Sequence, residues 1–552
     1  MAQINPTVGD LPGNAELIRD YVRKAEVANA DVVVFPEMCT TGYPPLDLIP
    51  PRETRPPAGT RKHAQEPFLR LNKQLVLDLA KEIRSITAVI GFVDYDDYNL
   101  FNAAAIVNQG SVKHVVHKTL LPTYDVFDEQ RYFTSALANS PVAVEIQGQQ
   151  VALGTSICED IWDEEVGYGV KVVDVLSQQG ARFIVNLNAS PFHDRIRDIR
   201  LRILRRKAAR LSVPIFYVNQ VGGQDELVFD GESLAVDAKG RLIGIGKQFH
   251  EDLVIVDIDP AGIGVRELAE PSYHREREMF DALGLGVKDY FRKTRFTQAL
   301  VGLSGGIDSS LVAAIATTAL GRENVTGVSM PSRYSSDHSK RDAQTLAENL
   351  GIEFSSISIE PIFTAYLNQL KPQFEGRPPD VAEENLQSRI RGNLLMALSN
   401  KFGGLVLATG NKTELALGYA TLYGDMSGGL EVIGDVSKME VYALARYYNE
   451  KAGRAIIPES CFSKIPSAEL KPDQVDPFNY PVVSPLVDDV IENRLSRTEL
   501  IQKGYPENVV DDTMRRIRGA EYKRHQAAPS IKITKKAFGL GWKMPIVNQS
   551  PA

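Results

Sequence analysis

Cysteine is scarce in this chain, because only three of its 552 residues are cysteine. Cys39, Cys158 and Cys461 are too few for a disulfide framework, and no CxxC spacing is present for zinc or redox chemistry. A reducing cytoplasm is therefore the expected compartment.

Long apolar runs and an excess of positive charge are also missing. No segment approaches the roughly 20 apolar residues that a membrane helix needs, and "MAQINPTVGD" lacks the basic and apolar regions of a secretory signal. The net charge of −8 disfavours a broad nucleic-acid surface. The basic stretch 197–210 is typical of a solvated or interface helix. We therefore expect neither a membrane nor a nucleic acid as partner.

The chain contains short apolar strand patterns that alternate with helical patterns. Its 552 residues are too many for a single hydrophobic core. This pattern predicts an α/β protein with two domains, 1–265 and 281–552, joined by a linker at 266–280. Such alternation is typical of largely parallel sheets with helices on both faces. Functional sites in these sheets lie beyond the carboxyl ends of the strands.

The pattern also places the individual elements. Predicted strands are 31–37, 87–95, 102–107, 151–160, 183–190, 214–222, 252–259, 299–304, 325–331, 354–359 and 404–409. Predicted helices are 14–30, 67–84, 195–211, 276–294, a helix from Asp308, 336–350 and 384–401. Segment 44–67, rich in proline and arginine, is predicted to be a long exposed loop.

Three residues of the first half suit nucleophilic catalysis. Glu37 ends an apolar strand, Lys118 begins a loop, and Cys158 stands in "GTSICEDIW" where a strand ends. A free thiol is only a few per cent thiolate at neutral pH, so it needs a base or a positive charge nearby. A carboxylate that takes the proton and an ammonium that holds a developing oxyanion meet that need. Taken singly, the cysteine is more typical of a small core residue, and the glutamate and the lysine are at least as typical of a solvated surface.

Together with their surrounding motifs, these residues resemble the Glu–Lys–Cys triad of the nitrilase, or carbon–nitrogen hydrolase, superfamily, over nearly all of residues 2–260. The resemblance implies a nitrilase-like α-β-β-α sandwich. It also implies that the cysteine attacks an amide carbon, releases ammonia and leaves a thioester for water to cleave. By the same resemblance, Glu129 is a second active-site glutamate, and Tyr124 and Ser190 contact the amide substrate, glutamine.

One position of the first half departs from the family pattern. The glutaminase branch usually carries a basic residue six positions after the serine, and this chain has Ile196 there. Arg195 and Arg197 flank it, and either is a candidate to replace the missing contact.

The second half contains "VGLSGGIDSSL" (301–311), an apolar strand that runs through a glycine turn into a helix. Gly305 and Gly306 permit a tight turn that exposes backbone N–H groups, and the helix adds the positive end of its dipole. The lysine of the common P-loop is absent, so the loop suits pyrophosphate better than transfer of a terminal phosphoryl group. Asp308 is a candidate ligand of Mg²⁺. Three serine hydroxyls complete the predicted anion cradle: Ser304, Ser309 and Ser310.

This loop resembles the PP-loop of ATP pyrophosphatases, which cleave ATP to AMP and pyrophosphate while adenylating a substrate. Four further segments resemble the NAD synthetase family in order and spacing: 383–396, 407–429, 433–442 and 466–476. The resemblance runs from about 280 to 530. It implies a doubly wound parallel-sheet domain of the adenine nucleotide alpha hydrolase-like type, which uses ATP, Mg²⁺ and deamido-NAD.

The same resemblance assigns residues to ligands. The ATP-binding set is Gly302, Leu303, Ser304, Gly305, Gly306, Ile307, Asp308, Ser309, Ser310, Thr409, Lys438 and Ser467. The deamido-NAD-binding set is Asn385, Glu414 and Lys523, and the metal ligands are Asp308 and Glu414. Segment 462–476 is expected to close over the site.

A glutamine hydrolase followed by an ammonia-using synthetase predicts NAD synthesis from deamido-NAD, ATP and L-glutamine. One chain that joins the two raises the effective concentration of ammonia, and the resemblance implies a homo-oligomer, a dimer or larger. One alternative is another PP-loop amidotransferase or a tRNA-modifying enzyme, although the missing CxxC and the acidic balance count against tRNA thiolation. The other alternative is a binding or filament module with inactive sites, against which the complete triad and PP-loop both argue.

Overall fold

The computed structural model describes residues 1–54 and 66–549, which form two compact units. The first unit contains Met1–Gln224 and Val228–Tyr273, and the second contains Asp225–Leu227 and the chain from His274 onward. Residues 55–65 of the predicted exposed loop 44–67 lie outside the described residues. No helix in the described ranges is long and apolar enough to cross a membrane.

The helices up to residue 273 are α1 (Leu11–Val27), α2 (Pro67–Glu82), α3 (Asp163–Val166), α4 (Val172–Gln178) and α5 (Ile196–Leu211). The strands in that range are β1 (Ala2–Gln3), β2 (Val32–Val34), β3 (Thr87–Tyr95), β4 (Leu100–Asn108), β5 (Ser111–His117), β6 (Val142–Ile146), β7 (Gln149–Ile157), β8 (Phe183–Asn188), β9 (Ile215–Asn219), β10 (Val221–Gln224), β11 (Leu227–Asp230), β12 (Leu234–Val236), β13 (Leu242–Ile245) and β14 (Asp252–Leu253).

The later helices are α6 (Arg275–Thr294), α7 (Ile307–Leu320), α8 (Asp337–Leu350), α9 (Glu360–Phe374), α10 (Val381–Phe402), α11 (Lys412–Leu417), α12 (Lys438–Ala452), α13 (Ser460–Ser463), α14 (Tyr480–Ile491), α15 (Arg497–Gln502), α16 (Glu507–Gly519) and α17 (Glu521–Arg524). The later strands are β15 (Ala299–Gly302), β16 (Val325–Ser329), β17 (Glu353–Ser356), β18 (Leu405–Ala408) and β19 (Leu430–Glu431). Helix α6 thus begins inside the segment predicted to be a linker.

Two sheets of the first unit pack face to face, with helices on their outer sides. One has the strand order β2-β3-β4-β5 and the other β13-β12-β9-β8-β7-β6. Alternate residues of β4 enter different cores, because side chains along a strand point to opposite faces. Ala103 and Ala105 pack with α1 and α2, whereas Ala104 and Ile106 pack against β7 and β8. On the far side of the second sheet, Ile184 packs with α4 and α5, which completes the α-β-β-α sandwich.

The sheets of the first unit are mixed, so the expectation of largely parallel sheets is wrong for this half. Among its described strands, β2–β3, β7–β8 and β8–β9 pair in parallel, and the other neighbours in both sheets pair antiparallel. Short turns join β3, β4 and β5, one of them through Gly110 at φ 75°, and such turns leave no room for a crossover helix. Of the predicted strand 252–259, only β14 is a strand, and it pairs with β1.

The second unit holds a five-stranded parallel sheet of order β17-β16-β15-β18-β19. Its central strand, β15, is a continuous apolar run, as expected where helices cover both faces. Helix α7 is also apolar around its circumference, because α6, α8, α12 and the sheet surround it. The chain that leaves the carboxyl end of β15 therefore enters the middle of the sheet edge, where ligands bind in folds of this type.

Candidate active sites

The lysine of the first unit is held between two carboxylates. Lys118 Nζ donates to Glu37 Oε1 at 2.8 Å and to Glu129 Oε1 at 2.8 Å, and all three side chains are buried. Burial alone would disfavour the ammonium, but the charges of Glu129 and Glu37 outweigh it and raise the pKa of Lys118. The lysine is therefore charged at neutral pH, and its charge acts on the thiol of Cys158.

Cys158 lies at the turn that follows β7, at the carboxyl edge of the second sheet. Its φ of 42° falls in the left-handed region, which costs a residue with a side chain about 1–3 kcal/mol and is common at functional sites. Burial, and then the charge of Glu37, raise the pKa of the thiol well above its ordinary value, although Lys118 opposes them. The resting group is therefore a thiol, and a base has to take its proton as it attacks.

The second glutamate lies in a buried environment that favours its neutral form. Burial raises the pKa of Glu129 to about 7, against the opposing charge of Lys118. Tyr43 Oη donates to its Oε1 at 3.0 Å. Asn102 Nδ2 donates both to Glu37 Oε1 at 2.6 Å and to Glu129 Oε2 at 3.3 Å. The sequence interpretation missed Tyr43 and Asn102, although an amide inside the apolar strand β4 is a signal that pointed to the latter.

The predicted glutamine contact Tyr124 lies next to the nucleophile. Its Oη donates to Glu159 Oε1 at 3.0 Å, and Glu159 is the residue that follows Cys158. Tyr168 Oη donates to the same Oε1 at 3.1 Å. Tyr124 is also 41% exposed, so a substrate can reach its ring.

The other predicted contact, Ser190, is held by a buried arginine. Arg200 Nη2 donates to the carbonyl oxygen of Ser190 at 2.8 Å and to its Oγ at 3.1 Å, and Asn219 Oδ1 accepts from its backbone N–H at 2.9 Å. The preceding residue, Ala189, donates its N–H to Glu37 Oε2 at 2.9 Å. The serine segment is therefore attached directly to the triad.

The departure from the family pattern lies at the start of α5. Ile196 is buried there as the first residue of the helix. Arg195 lies at the surface, with its guanidinium carbon 4.2 Å from the ring centre of Tyr273. Arg197 is buried and donates to Glu232 at 2.7 Å. Both flanking arginines thus have partners within the unit, one at the surface and one in the interior.

In the second unit, the PP-loop connects β15 to α7. Gly305 has φ 79°, and a Cβ built on it would lie 2.2 Å from the carbonyl oxygen of Ser339, so no other residue fits. Within the loop, Gly306 N donates to Ser304 Oγ at 3.1 Å, and Ser310 Oγ donates to the carbonyl oxygen of Gly306 at 2.7 Å. Backbone and hydroxyls thus set the shape of the anion cradle, and α7 begins at Ile307, one residue before its predicted start.

A cavity of about 300 Å³ opens at this edge of the sheet. Most of the predicted nucleotide-binding residues line it: Gly302, Leu303, Ser304, Gly306, Ile307, Asp308, Ser309, Thr409, Glu414, Lys438 and Ser467. Gly305 and Ser310 are not part of the lining, since the first forms the turn and the second is buried behind it.

The two predicted metal ligands, Asp308 and Glu414, both lie close to the ammonium group of Lys438. Lys438 Nζ donates to Asp308 Oδ2 at 2.5 Å and lies 3.5 Å from Glu414 Oε1. Burial raises the pKa of Glu414 to about 8, against the charge of Lys438. Asn411, which sequence interpretation missed, donates its Nδ2 to Asp308 Oδ1 at 2.9 Å and accepts the N–H of Glu414 at 3.1 Å. It lies inside the NAD synthetase-like segment 407–429, which is the signal that pointed to it.

The donor set fits a cation that binds together with a phosphorylated substrate. In the described ranges no group of three or more His, Cys, Asp or Glu side chains is arranged to hold a metal ion by itself. Mg²⁺ is usually held by one or two carboxylates plus substrate phosphates. Asp308 and Glu414 supply that number at the edge of the cavity.

The predicted deamido-NAD residues Asn385 and Lys523 lie outside the cavity lining and converge on one segment. Asn385 Oδ1 accepts from Thr421 Oγ1 at 2.9 Å. Lys523 Nζ donates to the carbonyl oxygens of Gly418 at 2.8 Å and Ala420 at 2.7 Å, and burial lowers its pKa. Thr421 itself lines the cavity, so the segment connects these two residues to the nucleotide site.

Comparisons with known proteins agree with this division. The carbon-nitrogen hydrolase family model matches residues 1–266, and the NAD synthase family model matches residues 279–527. The glutamine-dependent NAD(+) synthetase of Thermotoga maritima is 45% identical over 100% of this chain and 98% of its own length. That of a Synechocystis strain is 44% identical over 99% of this chain and 98% of its own.

A solved structure covers the whole chain as well. The glutamine-dependent NAD+ synthetase of Acinetobacter baumannii, in complex with adenosine diphosphate, is 36% identical, with a TM-score of 0.76 over 99% of this chain and 98% of that one. The similarity thus extends over both units. The chain belongs to the family of glutamine-dependent NAD(+) synthetases, ligases that form a carbon–nitrogen bond with glutamine as the amide donor.

Proposed function

We propose that the two sites divide glutamine-dependent NAD synthesis between them. The first hydrolyses glutamine to glutamate and ammonia. The second adenylates deamido-NAD with ATP, releases pyrophosphate, and converts the adenylate to NAD and AMP. The observation that carries the proposal is the buried lysine bonded to both Glu37 and Glu129 beside a strained Cys158.

In the hydrolysis, Glu37 takes the proton of Cys158 as the sulfur attacks the amide carbon of glutamine. Lys118, held charged by its two carboxylates, stabilises the developing oxyanion. The C–N bond breaks, the nitrogen leaves as ammonia with the transferred proton, and water cleaves the remaining thioester to release glutamate. Glu129 keeps the lysine in place through its 2.8 Å contact. Tyr124 and Ser190 are proposed to orient glutamine.

In the synthesis, the PP-loop binds the phosphates of ATP while the nicotinate carboxylate of deamido-NAD attacks the α-phosphorus. The bond to the β-phosphate breaks and pyrophosphate leaves. Ammonia then adds to the acyl carbon, loses a proton, and AMP departs. Asp308 and Glu414 would hold Mg²⁺, which when bound neutralises phosphate charge. Asn385 and Lys523 are proposed to bind deamido-NAD around segment 418–421.

The setting of the enzyme is part of the same proposal. Its few cysteines and acidic balance support a cytoplasmic location without a membrane or nucleic-acid partner. A homo-oligomer, a dimer or larger, is proposed from the family resemblance.

A nitrogen-source assay tests the division of labour. Cys158→Ala is expected to abolish NAD formation from deamido-NAD, ATP, Mg²⁺ and glutamine, while ammonium chloride restores it. Cys39→Ala is the matched control, because that thiol is buried and donates to the carbonyl of Gly91 at 3.3 Å; it is expected to keep glutamine-driven synthesis. If Cys158→Ala still used glutamine, the thiol would not be the nucleophile.

A further inference from the structure

The cationic side chains around the nucleotide cavity differ in whether a carboxylate neutralises them. Four line the cavity: Lys340, Arg391, Lys438 and Lys464. Three are in ion pairs: Lys340 with Asp337 at 3.3 Å, Lys438 with Asp308 at 2.5 Å, and Lys464 with Glu469 at 3.1 Å. The guanidinium of Arg391 has no carboxylate within 4.0 Å among the described residues. Its one hydrogen bond within those ranges is from Nε to the carbonyl oxygen of Met330, at 2.9 Å.

The position of Arg391 directs it toward the phosphate loop. Met330 directly follows β16, so the bond from Nε fixes the guanidinium at the carboxyl edge of the sheet. Leu395, one helical turn further along α10, lies on the same face as Arg391. A Cβ built at Gly302, at the end of β15, would lie 3.2 Å from Leu395 Cδ1 and 3.5 Å from Met330 Cε. This face of α10 therefore packs at the carboxyl ends of β15, which leads into the PP-loop, and of the neighbouring strand β16.

Arg391 keeps its positive charge although burial disfavours the charged form. Loss of solvent lowers its pKa to about 10, even though Glu469 and Asp425 act from a distance to raise it. A guanidinium with that pKa is still protonated at neutral pH. A positive charge that is partly withdrawn from water without a carboxylate partner is destabilising until an anion meets it. The missing anion is best supplied by a ligand in the cavity.

We propose that Arg391 binds phosphate oxygens of the adenine nucleotide through the terminal nitrogens of its guanidinium. Nε is engaged by Met330, so the two terminal nitrogens remain for a planar, two-point contact with a phosphate, which lysine cannot reproduce. Arg391 is then a nucleotide-binding residue outside the PP-loop. The inference rests on the proposed function of this site.

The test is equilibrium binding of adenosine, AMP, ADP and a non-hydrolysable ATP analogue to the full-length protein, measured by calorimetry. Arg391→Gln is expected to weaken the binding of those nucleotides that carry the contacted phosphate roughly tenfold to a hundredfold, and to change the affinity for adenosine by no more than about twofold. Arg391→Lys keeps the charge but loses the planar fork, so a smaller loss is expected. The step in the series at which the loss first appears identifies the phosphate. Arg515→Gln, a surface arginine paired with Asp512 on its own helix, is the charge-matched control and should change none of these affinities.

Other outcomes overturn the proposal. An equal loss for adenosine and the phosphorylated nucleotides would place Arg391 at the base or show that it only shapes the pocket. Unchanged affinities in a variant with the parent's circular dichroism would show that it contacts no nucleotide. Because binding is measured without turnover, these results are separate from a failure of the parent protein to form NAD, which would reject the proposed function instead.

Discussion

Removal of Arg200 is the most demanding test of how the glutamine site is held. Arg200 and Asp230 are both fully buried, and Nη1 lies 2.8 Å from each carboxylate oxygen of Asp230. Arg200→Met fills most of the volume but leaves Asp230 without its counter-charge and Ser190 without the two hydrogen bonds from Nη2. Removing one partner of a buried pair costs about 3–5 kcal/mol, because the remaining charge is stranded in the interior.

The double variant Arg200→Met/Asp230→Leu separates stranded charge from lost packing. Replacing both partners of a buried ion pair by apolar side chains often leaves the free energy of unfolding unchanged. Asn219 Nδ2, which also donates to Asp230, keeps the carbonyl oxygen of Gly231 as an acceptor at 3.0 Å. The double variant is therefore expected to recover most of the stability lost in the single one. Burial already raises the pKa of Asp230, and losing Arg200 raises it further. The single variant should thus regain stability as the pH falls and Asp230 protonates.

The chain supplies its own reporter for this experiment, since its two tryptophans lie in different units. Trp162 packs against the core that contains Leu201 of α5, and Trp542 belongs to the second unit. In a Trp542→Phe background, urea unfolding followed by fluorescence reports on the first unit alone. A single variant as stable as its parent, or a double variant no more stable than the single one, would show that Arg200 does not offset the buried charge of Asp230. The KM for glutamine should also rise in the single variant, since Ser190 loses its support.

Three other predictions concern the second unit. Gly305→Ala should abolish ammonia-driven synthesis, because its Cβ would meet a backbone oxygen at 2.2 Å. Gly306→Ala is the control and should retain most of this activity, because its Cβ would meet only a serine hydroxyl, at 3.2 Å. Similar activities in the two variants would contradict the loop geometry. Asn411→Asp should lower ammonia-driven kcat about 10–100-fold, by placing a carboxylate against Asp308, with glutaminase activity unchanged; an unaltered kcat would show that the bond to Asp308 is dispensable. Burial raises the pKa of Glu431 to about 8, so its ionisation should destabilise the unit as pH rises from about 4.5 to 8. Glu431→Gln should then be more stable than its parent at pH 9 by more than ~1 kcal/mol in urea unfolding followed through Trp542, and an equal pH dependence in both proteins would exclude this residue as the cause.

The local sequence was sufficient to predict which chemical motifs the chain contains and in what order they occur. The apolar run of β15, the glycine turn and the start of α7 are consecutive in the chain, so residue spacing alone predicts the phosphate loop. Cys158 is similar, because its place at a strand end follows from "GTSICED". These features depend on neighbours within about ten residues, and turn sterics and helix dipoles act over that range.

Sheet pairing in the first unit was beyond local reasoning. An apolar strand pattern is the same whether its neighbour runs parallel or antiparallel, so alternation with helices predicted parallel sheets where β3, β4 and β5 form a meander. The outcome depends on how short the connections are and on which faces two sheets share, and those are properties of the assembled unit.

The electrostatic state of both sites was decided only by tertiary structure. Glu37 and Lys118 are 81 residues apart, and Asp308 and Asn411 are 103 apart, yet each pair is in hydrogen-bond contact. No spacing rule indicates that Lys118 is shared by two carboxylates. Nor does one indicate that Arg391, alone among the four cationic side chains of the cavity, has no carboxylate partner in the described part of the chain. The sequence by itself determined which ionisable groups the protein owns and roughly where along the chain they act. Their protonation and pairing depend on burial and on distances of a few ångströms, because the charge of a group withdrawn from water is set by what lies next to it in space.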